Sequence, residues 1–148
     1  MITGIAHTGI VVEYLEKMVD FYRDVIGLKV TREKEVFAPP TGDHTGIPGA
    51  HKKLVFLGKP GHEHLLELIC YLNPASSMGV PMEFSQINAS HVCFNVVNLN
   101  NYYEDLRSKG VRFVASPKLV GDQERGYLLI CYAQDPEGNW LEFVESIK

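Results

Sequence analysis

The sequence lacks the segments that define membrane, secreted and nucleic-acid-binding proteins. Its 148 residues include no apolar run of the roughly 18 residues that a membrane-spanning helix needs, so we predict no membrane partner. Lysine and arginine form no cluster, and the net charge of −4 opposes binding to phosphates, so we predict no nucleic-acid partner. The N-terminus shows no basic region followed by an apolar stretch, as a signal peptide would, and a cytoplasmic location is therefore expected.

Cysteine is scarce, and its spacing fits no disulfide or redox motif. Cys70, Cys93 and Cys131 are far apart, lie in apolar runs and form no Cys-x-x-Cys pair, so we predict reduced thiols in the core. The hydrophobic content of 45% and the charged content of 22% are ordinary for a soluble globular protein. With this composition, a small molecule is the favoured partner.

The chain contains an internal repeat. Each copy begins with a strand that carries a histidine, continues into an amphipathic helix, and ends with an apolar strand that carries a glutamate. Half a chain of this kind exposes one apolar sheet face, and pairing with the other half would bury that face. We therefore predict a single domain over residues 1–148, made of modules at about 4–72 and 88–147 with a linker at about 73–87.

Periodicity and turn residues place the elements of the two modules, and both have the order strand, helix, strand, strand, strand. In the first module, we predict strands at about 4–12, 28–37, 51–58 and 63–71 and a helix at about 14–26. In the second module, we predict strands at about 89–97, 111–115, 127–134 and 140–146 and a helix at about 99–109. Proline and glycine exclude regular structure from residues 38–50, a candidate lid, and residues 121–126 are interpreted as a loop.

Four side chains at equivalent places in the repeat are candidate metal ligands: His7 and Glu67 in the first copy, His91 and Glu142 in the second. A glutamate flanked by apolar residues is costly to bury without a partner, and a divalent ion would supply the missing charge. Taken singly, each residue is more simply explained as a satisfied core or solvent-facing side chain. It is the equivalence of the four that favours a metal site.

The sequence resembles the vicinal oxygen chelate superfamily, which includes glyoxalase I, methylmalonyl-CoA epimerase, extradiol dioxygenases and fosfomycin-resistance proteins. The resemblance covers the whole chain and is most specific in Phe21–Leu28 and in the turn Asp135–Asn139. It implies an α+β fold in which two βαβββ modules form a cupped mixed sheet around a metal site, and it implies a homodimer. By position, the implied ligands are His7, Glu67, His91 and Glu142.

The implied ligand set distinguishes between reactions. A glutamate at position 67 resembles glyoxalase I, whereas extradiol dioxygenases use two histidines and one carboxylate. Two histidines with two glutamates suit one divalent ion, Ni²⁺, Co²⁺, Zn²⁺ or Mn²⁺, with Fe²⁺ less favoured. Such an ion stabilises the enediolate formed by proton abstraction next to a carbonyl, with Glu142 or Glu67 as the base. We therefore expect a metal-dependent lyase or isomerase that acts on a small carbonyl compound or thioester.

Three alternatives stay open: a methylmalonyl-CoA-epimerase-like enzyme, an Fe(II) extradiol dioxygenase, and a small-molecule-binding protein of the bleomycin-resistance type. The last is disfavoured because those proteins generally lack the metal ligands. Glyoxalase I enzymes also have an arginine shortly after the first histidine that helps to hold glutathione, and this chain has Thr8-Gly9-Ile10-Val11-Val12 there. Epimerases in turn rarely share the long glycine- and proline-rich loop or the Asp135–Asn139 turn of this chain, so the sequence indicates neither glutathione nor coenzyme A.

Overall fold

The chain forms two compact α+β units, Met1–Val80 and Pro81–Lys148, each built on one mixed β-sheet. The computed structural model describes residues 1–77 and 79–147. Residues 81–84, which the sequence predicted as part of a linker, belong to the second unit, where the indole N–H of Trp140 donates to the carbonyl of Met82 at 2.6 Å. No helix in the described part of the chain is both long and apolar enough to cross a membrane.

The first unit has a four-stranded sheet in the order β1-β4-β3-β2. The strands β1 and β4 are parallel, and the other neighbours are antiparallel. Its elements are β1 (His7–Val11), α1 (Leu15–Asp20), a π-helical segment (Phe21–Val25), β2 (Lys29–Phe37), β3 (His51–Gly58) and β4 (Leu65–Asn73). The predicted order strand, helix, strand, strand, strand is confirmed for this unit.

The helical region of the first unit changes its hydrogen-bonding pattern along its length. The amide of Ile26 donates to the carbonyl of Phe21 at 3.0 Å, which is the i to i−5 spacing of a π-helix. Gly27 follows with φ of +89°, a left-handed conformation that ends the helix as the sequence predicted. Met18 and Tyr22 are fully buried, so this helical region covers one face of the sheet.

The second unit has a five-stranded sheet in which β5-β9-β8-β6 are neighbours and β7 also pairs with β8. The strands β5 and β9 are parallel, and the remaining pairs are antiparallel. Its elements are β5 (His91–Asn95), α2 (Leu99–Ser108), β6 (Arg112–Phe113), β7 (Lys118–Asp122), β8 (Gly126–Gln134) and β9 (Trp140–Ile147).

One strand of the second unit contradicts the sequence prediction. Residues 121–126 were interpreted as a loop, but β7 extends to Asp122 and pairs with the start of β8. Together, β6 and β7 take the place along β8 that the continuous strand β2 takes along β3. The two pieces are separated by a stretch that includes Pro117, which has no backbone N–H to donate to a strand ladder.

Each sheet buries one face more deeply than the other. In β4, the buried residues Leu66, Leu68 and Cys70 alternate with Leu65, Glu67 and Ile69, which are part-exposed. In β9, Leu141 and Phe143 are fully buried, and Glu142 between them faces the other way. Helix α1 contacts β4 and helix α2 contacts β9, so the candidate residues lie on the faces opposite the helices.

The prediction that all three cysteines lie in the core is wrong for one of them. Cys70 and Cys131 are buried, whereas Cys93 is exposed. The apolar neighbours of Cys93 in the sequence suggested that it is buried. In a strand, however, successive side chains point to opposite faces of the sheet, so a residue between apolar neighbours can be exposed. Cys93 lies on the same face as His91, two residues before it.

Candidate functional site

His7 and Glu67 form a pair on two parallel neighbouring strands. The β1–β4 register places Gly9 opposite Glu67, so His7 comes two residues before the partner of Glu67 and shares its face. His7 Nε2 lies 3.2 Å from Glu67 Oε2. The histidine side chain is 47% exposed and the glutamate 12%, so the carboxylate is sheltered and the imidazole is open to solvent.

His91 and Glu142 form the corresponding pair in the second unit. The β5–β9 register places Cys93 opposite Glu142, again two residues after the histidine. His91 Nε2 lies 3.1 Å from Glu142 Oε2, and the two side chains are 40% and 14% exposed. The two units thus build the same local arrangement at equivalent positions of the repeat, with different neighbouring side chains.

The donor atoms of each pair fit a divalent ion. Two adjacent ligands of an octahedral ion, each about 2.1 Å from the metal, lie about 3.0 Å apart, close to the observed separations. An imidazole nitrogen with a carboxylate oxygen is a mixed donor set that suits Ni²⁺, Co²⁺, Zn²⁺ and Mn²⁺. Across residues 1–77 and 79–147, no group of three or more His, Cys, Asp or Glu side chains is arranged to hold a metal ion. The four-ligand site therefore stays a prediction.

An apolar ring and a glycine surround Glu67. Phe56 on β3 is its cross-strand partner, and the Phe56 ring meets the His7 imidazole edge to face at a centroid distance of 6.0 Å. Gly9 is its partner on β1, and a Cβ at Gly9 would lie 3.5 Å from Glu67 Oε2. Within the described residues, His7 is the one polar partner of this carboxylate.

A phenol and a thiol surround Glu142. Tyr132 on β8 is its cross-strand partner, and the Tyr132 hydroxyl donates to Glu142 Oε1 at 2.8 Å. Cys93 lies opposite Glu142 in the β5–β9 register, so its thiol is a neighbour of the carboxylate on the other side. Burial, followed by the hydrogen bond to Glu142, raises the pKa of Tyr132 to about 12 and that of Cys93 to about 12. Both groups therefore keep their protons near neutral pH, and the Tyr132 hydroxyl remains a donor to the carboxylate.

An aromatic cluster, consisting of Phe84, Tyr132 and Trp140, borders the second pair. Phe84 stacks on Trp140 with ring centroids 4.0 Å apart and meets Tyr132 edge to face at 4.9 Å. The Tyr132 ring in turn contacts the imidazole of His91 edge to face at 5.5 Å. Phe84 is exposed, so the cluster gives this pair an apolar border that reaches solvent.

The turn before β9 positions Glu142. Asp135 is buried, and its carboxylate accepts from the amides of Glu137 and Asn139 at 3.0 and 2.9 Å and from the side-chain amide of Asn139 at 2.8 Å. These bonds fix the reversal between β8 and β9 and hence the register that places Tyr132 opposite Glu142.

Sequence reasoning did not identify Tyr132, Cys93 or Phe84 as site residues. Tyr132 lies ten residues before Glu142 in the chain, and counting back across the Asp135–Asn139 turn would have placed them opposite each other. Cys93 shares a face with His91, which strand alternation alone indicates. Phe84 lies in the segment interpreted as a linker, and its sequence context gives no comparable signal.

Residues 38–50 form a folded turn cluster. The amide of Ala38 donates to the carbonyl of Ala50 at 2.7 Å, and the amides of Gly42 and Gly49 both donate to the carbonyl of Pro39 at 2.9 Å. Asp43 within this segment lies against Lys52 of β3, with 3.0 Å between the carboxylate and the ammonium. A lid function for this segment stays a prediction.

Comparison with known proteins gives consistent similarities. A model of the Glyoxalase/Bleomycin resistance protein/Dioxygenase superfamily matches residues 4–143. A probable lactoylglutathione lyase from Synechocystis is 25% identical over 95% of this chain and 93% of that protein. A lactoylglutathione lyase from Schizosaccharomyces pombe is 31% identical over 95% of this chain and 46% of that protein. The crystal structure of a glyoxalase family protein from Bacillus cereus has a TM-score of 0.85 at 20% identity, covering 100% of this chain and 97% of that chain, which confirms the predicted α+β fold class.

Proposed function

This chain belongs to the Glyoxalase/Bleomycin resistance protein/Dioxygenase superfamily, and we propose that it is a metal-dependent lyase or isomerase of the glyoxalase type. The observation that carries the proposal is the repeated His–Glu pair, with nearly equal separations of 3.2 and 3.1 Å on the same register of parallel strands. The lactoylglutathione lyases among its relatives support the same reaction class.

The ligands in this proposal are His7, Glu67, His91 and Glu142, and the metal is Ni²⁺, Co²⁺, Zn²⁺ or Mn²⁺. When bound, the ion acts as a Lewis acid and stabilises the negative charge that develops on the substrate oxygens. In both pairs, the Nε2 atom of the histidine lies next to the carboxylate, so Nε2 is the ring nitrogen that would bind the metal. The low exposure of both glutamates keeps water away from the carboxylates and strengthens their interactions with positive charge.

Proton transfer is assigned to a glutamate. A carboxylate oxygen of Glu67 or Glu142 takes the proton from the carbon next to the substrate carbonyl and returns it to the neighbouring carbon. The carboxylate is restored at the end of this sequence, so the isomerisation needs no external oxidant or reductant. The sheltered position of both carboxylates also limits exchange of the carried proton with solvent.

The proposed substrate is the adduct of a small 2-oxoaldehyde with a thiol. Two relatives are named for lactoylglutathione, which makes glutathione the first thiol to test. Thr8-Gly9-Ile10-Val11-Val12 replaces the arginine that glyoxalase I enzymes have after the first histidine, so other thiols belong in the same assay.

The first test measures metal and turnover together. Purified protein is analysed for bound metal before and after chelation, with Glu67→Gln beside Glu63→Gln, a matched control in the exposed segment just before β4. We expect one equivalent of metal in the wild type and the control, weaker binding in Glu67→Gln, and turnover of methylglyoxal adducts that depends on the metal. Acyl-CoA epimerisation and catechol oxygenation are assayed in parallel.

Two results would overturn the proposal. Failure to bind any of the four metals would move the protein to the small-molecule-binding class. If the protein binds metal and catalyses epimerisation or oxygenation, but does not turn over the adducts, the proposed reaction is wrong and the observed one takes its place.

The proposed assembly is a homodimer, for which light scattering should give a mass near twice 16.6 kDa.

A further inference from the structure

Arg32 of β2 lies on the same face of the first sheet as His7 and Glu67. In the strand register it is paired with Phe56, which is in turn the cross-strand partner of Glu67. The Cζ atom of Arg32 lies 4.0 Å from the centre of the Phe56 ring, and that centre lies 6.0 Å from the centre of the His7 imidazole. Because these two distances together span at most about 10 Å, the guanidinium lies within that range of the His7 ring.

A β-bulge between Val30 and Arg32 places the arginine on this face. If the ladder continued regularly from Val30, Arg32 would be paired with Val55 and would point to the face that the helix covers. The bulge places it opposite Phe56 instead, and the Thr31 hydroxyl donates to the Phe56 carbonyl at 3.2 Å. Bulges commonly redirect a side chain next to a functional site.

The charge of Arg32 is not neutralised within the described part of the chain. The residue is exposed, and no carboxylate in residues 1–77 and 79–147 forms an ion pair with it. Glu33 follows it in β2 and therefore points to the opposite face, and Glu35 is bound to His51 at 2.7 Å. The cation–π contact with Phe56 restrains the guanidinium and offers no acceptor oxygen, so its N–H donors are available to a ligand.

The second unit has a valine at the place that corresponds to Arg32. Tyr132 is the counterpart of Phe56, and the amide of Val114 on its far side donates to the Tyr132 carbonyl at 2.9 Å. Val114 is 62% exposed, so this place is open to solvent in the second unit as well. A cation that is present in only one copy of the repeat is not needed to build the His–Glu pair, which favours a role in binding.

We propose that Arg32 is a specificity-determining residue that binds a carboxylate of the substrate. This inference rests on the proposed function. In the adduct of a small 2-oxoaldehyde with a thiol, the carbonyl end is uncharged, so the carboxylate belongs to the thiol part. A guanidinium binds a carboxylate through two parallel N–H···O bonds, which a neutral amide cannot reproduce. The substrate class is therefore an adduct whose thiol carries a carboxylate close to the sulfur.

Two thiols of equal length test the assignment: 3-mercaptopropionate carries a carboxylate, and 3-mercaptopropionamide carries a neutral amide. We expect the metal-loaded wild type to have a kcat/KM about tenfold higher for the methylglyoxal adduct of the carboxylate, the usual size of a hydrogen bond to a charged group. Arg32→Gln should lower kcat/KM for the carboxylate adduct to the value for the amide adduct. The loss should lie in KM with kcat little changed, because the contact is made equally in the ground state and the transition state.

Arg32→Lys and Lys53→Gln are the matched controls. Arg32→Lys should keep part of the preference, because an ammonium keeps the charge but not the paired donors. Lys53→Gln removes the same charge from the opposite face of the sheet, where Lys53 is exposed, and should leave the preference unchanged. All these variants should bind as much metal as the wild type, because neither residue is a proposed ligand.

Binding measurements give the same comparison without turnover. Calorimetric titration of the metal-loaded protein with the two product thioesters should show about tenfold tighter binding of the carboxylate form in the wild type and equal binding in Arg32→Gln. The difference should shrink as the salt concentration is raised, because an exposed charge is screened by ions.

The possible outcomes separate this inference from the proposed function. Equal kcat/KM for the two adducts in the wild type, or an equal loss for both in Arg32→Gln, would overturn only the inference. So would loss of the preference in Lys34→Gln and not in Arg32→Gln, since Lys34 lies on the same face two residues along β2. A wild type that binds no metal and turns over neither adduct would contradict the proposed function, and the inference with it.

Discussion

The ammonium of Lys52 lies 3.0 Å from the carboxylate of Asp43, and the two side chains are only 4% and 12% exposed. The other oxygen of Asp43 accepts from the amide of Thr45 at 2.8 Å and from its hydroxyl. The hydrogen bonds from Thr45, followed by that from Lys52, hold the pKa of Asp43 well below its ordinary value. The pair ties the 38–50 segment to β3.

We expect Asp43→Asn to lower the melting temperature at neutral pH, because it leaves the charge of Lys52 buried without its counter-ion. The folded pKa of Asp43 is depressed, so its stabilisation is fully present above the ordinary pKa of 3.8 and is lost as pH falls through the folded value. Thermal unfolding followed by circular dichroism from pH 7 down to pH 3 should show the difference from wild type shrinking below about pH 4. Asp20→Asn, at an exposed surface pair, is the control. A difference independent of pH would contradict the prediction.

Glu145 on β9 provides the N-terminal cap of helix α2. Its two carboxylate oxygens accept from the amides of Asn98 and Leu99, each at 2.9 Å, and the helix has no side-chain cap of its own. We expect Glu145→Ala to reduce the free energy of unfolding by about 1–2 kcal/mol, the usual range for loss of a cap. Urea unfolding measures this, with Glu104→Ala on the exposed side of α2 as the control. Equal effects of the two substitutions would argue against capping.

Two structural constraints favour glycine at position 138, in the turn before β9. Its φ is +90°, and a Cβ there would lie 2.6 Å from Pro81 Cγ. We expect Gly138→Ala to cost about 1–3 kcal/mol of unfolding free energy, and Pro81→Ala in the same chain to restore part of it by removing the close contact. Gly79→Ala is the control, because its Cβ would meet nothing within 4 Å. No recovery in the double variant would show that backbone strain alone accounts for the loss.

Trp140 is the single tryptophan of the chain and the register partner of His91. Zn²⁺ has a filled d shell, whereas Co²⁺ and Ni²⁺ quench nearby indole emission. We therefore expect saturable quenching of the Trp140 fluorescence by Co²⁺ or Ni²⁺ and little change with Zn²⁺. His91→Ala should shift the titration to higher metal concentration. An unchanged titration in that variant would place the quenching ion elsewhere.

Much of the fold follows from local sequence. The third strand was predicted at 51–58 and is His51–Gly58, because an apolar run there is bounded by Lys59-Pro60-Gly61. The helix predicted at 99–109 is Leu99–Ser108, because its apolar spacing and Gly110 define both ends. These elements form where side-chain periodicity and turn residues agree.

Strand β7 shows where local sequence is insufficient. All five of its residues are exposed, and it lies between Pro117 and a turn that begins after Asp122. It has no buried face to produce an alternating pattern, and its backbone hydrogen bonds are made with β8. Such a strand forms because it can pair with the backbone of the neighbouring strand, and the β-propensity of its own residues does not predict this pairing.

The sequence by itself determined the repeat, the strand on which each candidate residue lies and the face that it shares with its neighbours. Those properties depend on spacing within a single strand, where side chains alternate strictly. Only the tertiary structure decided that a phenol lies beside Glu142 and a phenyl ring beside Glu67. These contacts join residues ten or more positions apart, and their pairing is set by hairpin register, which depends on the turn and on the packing of the whole sheet.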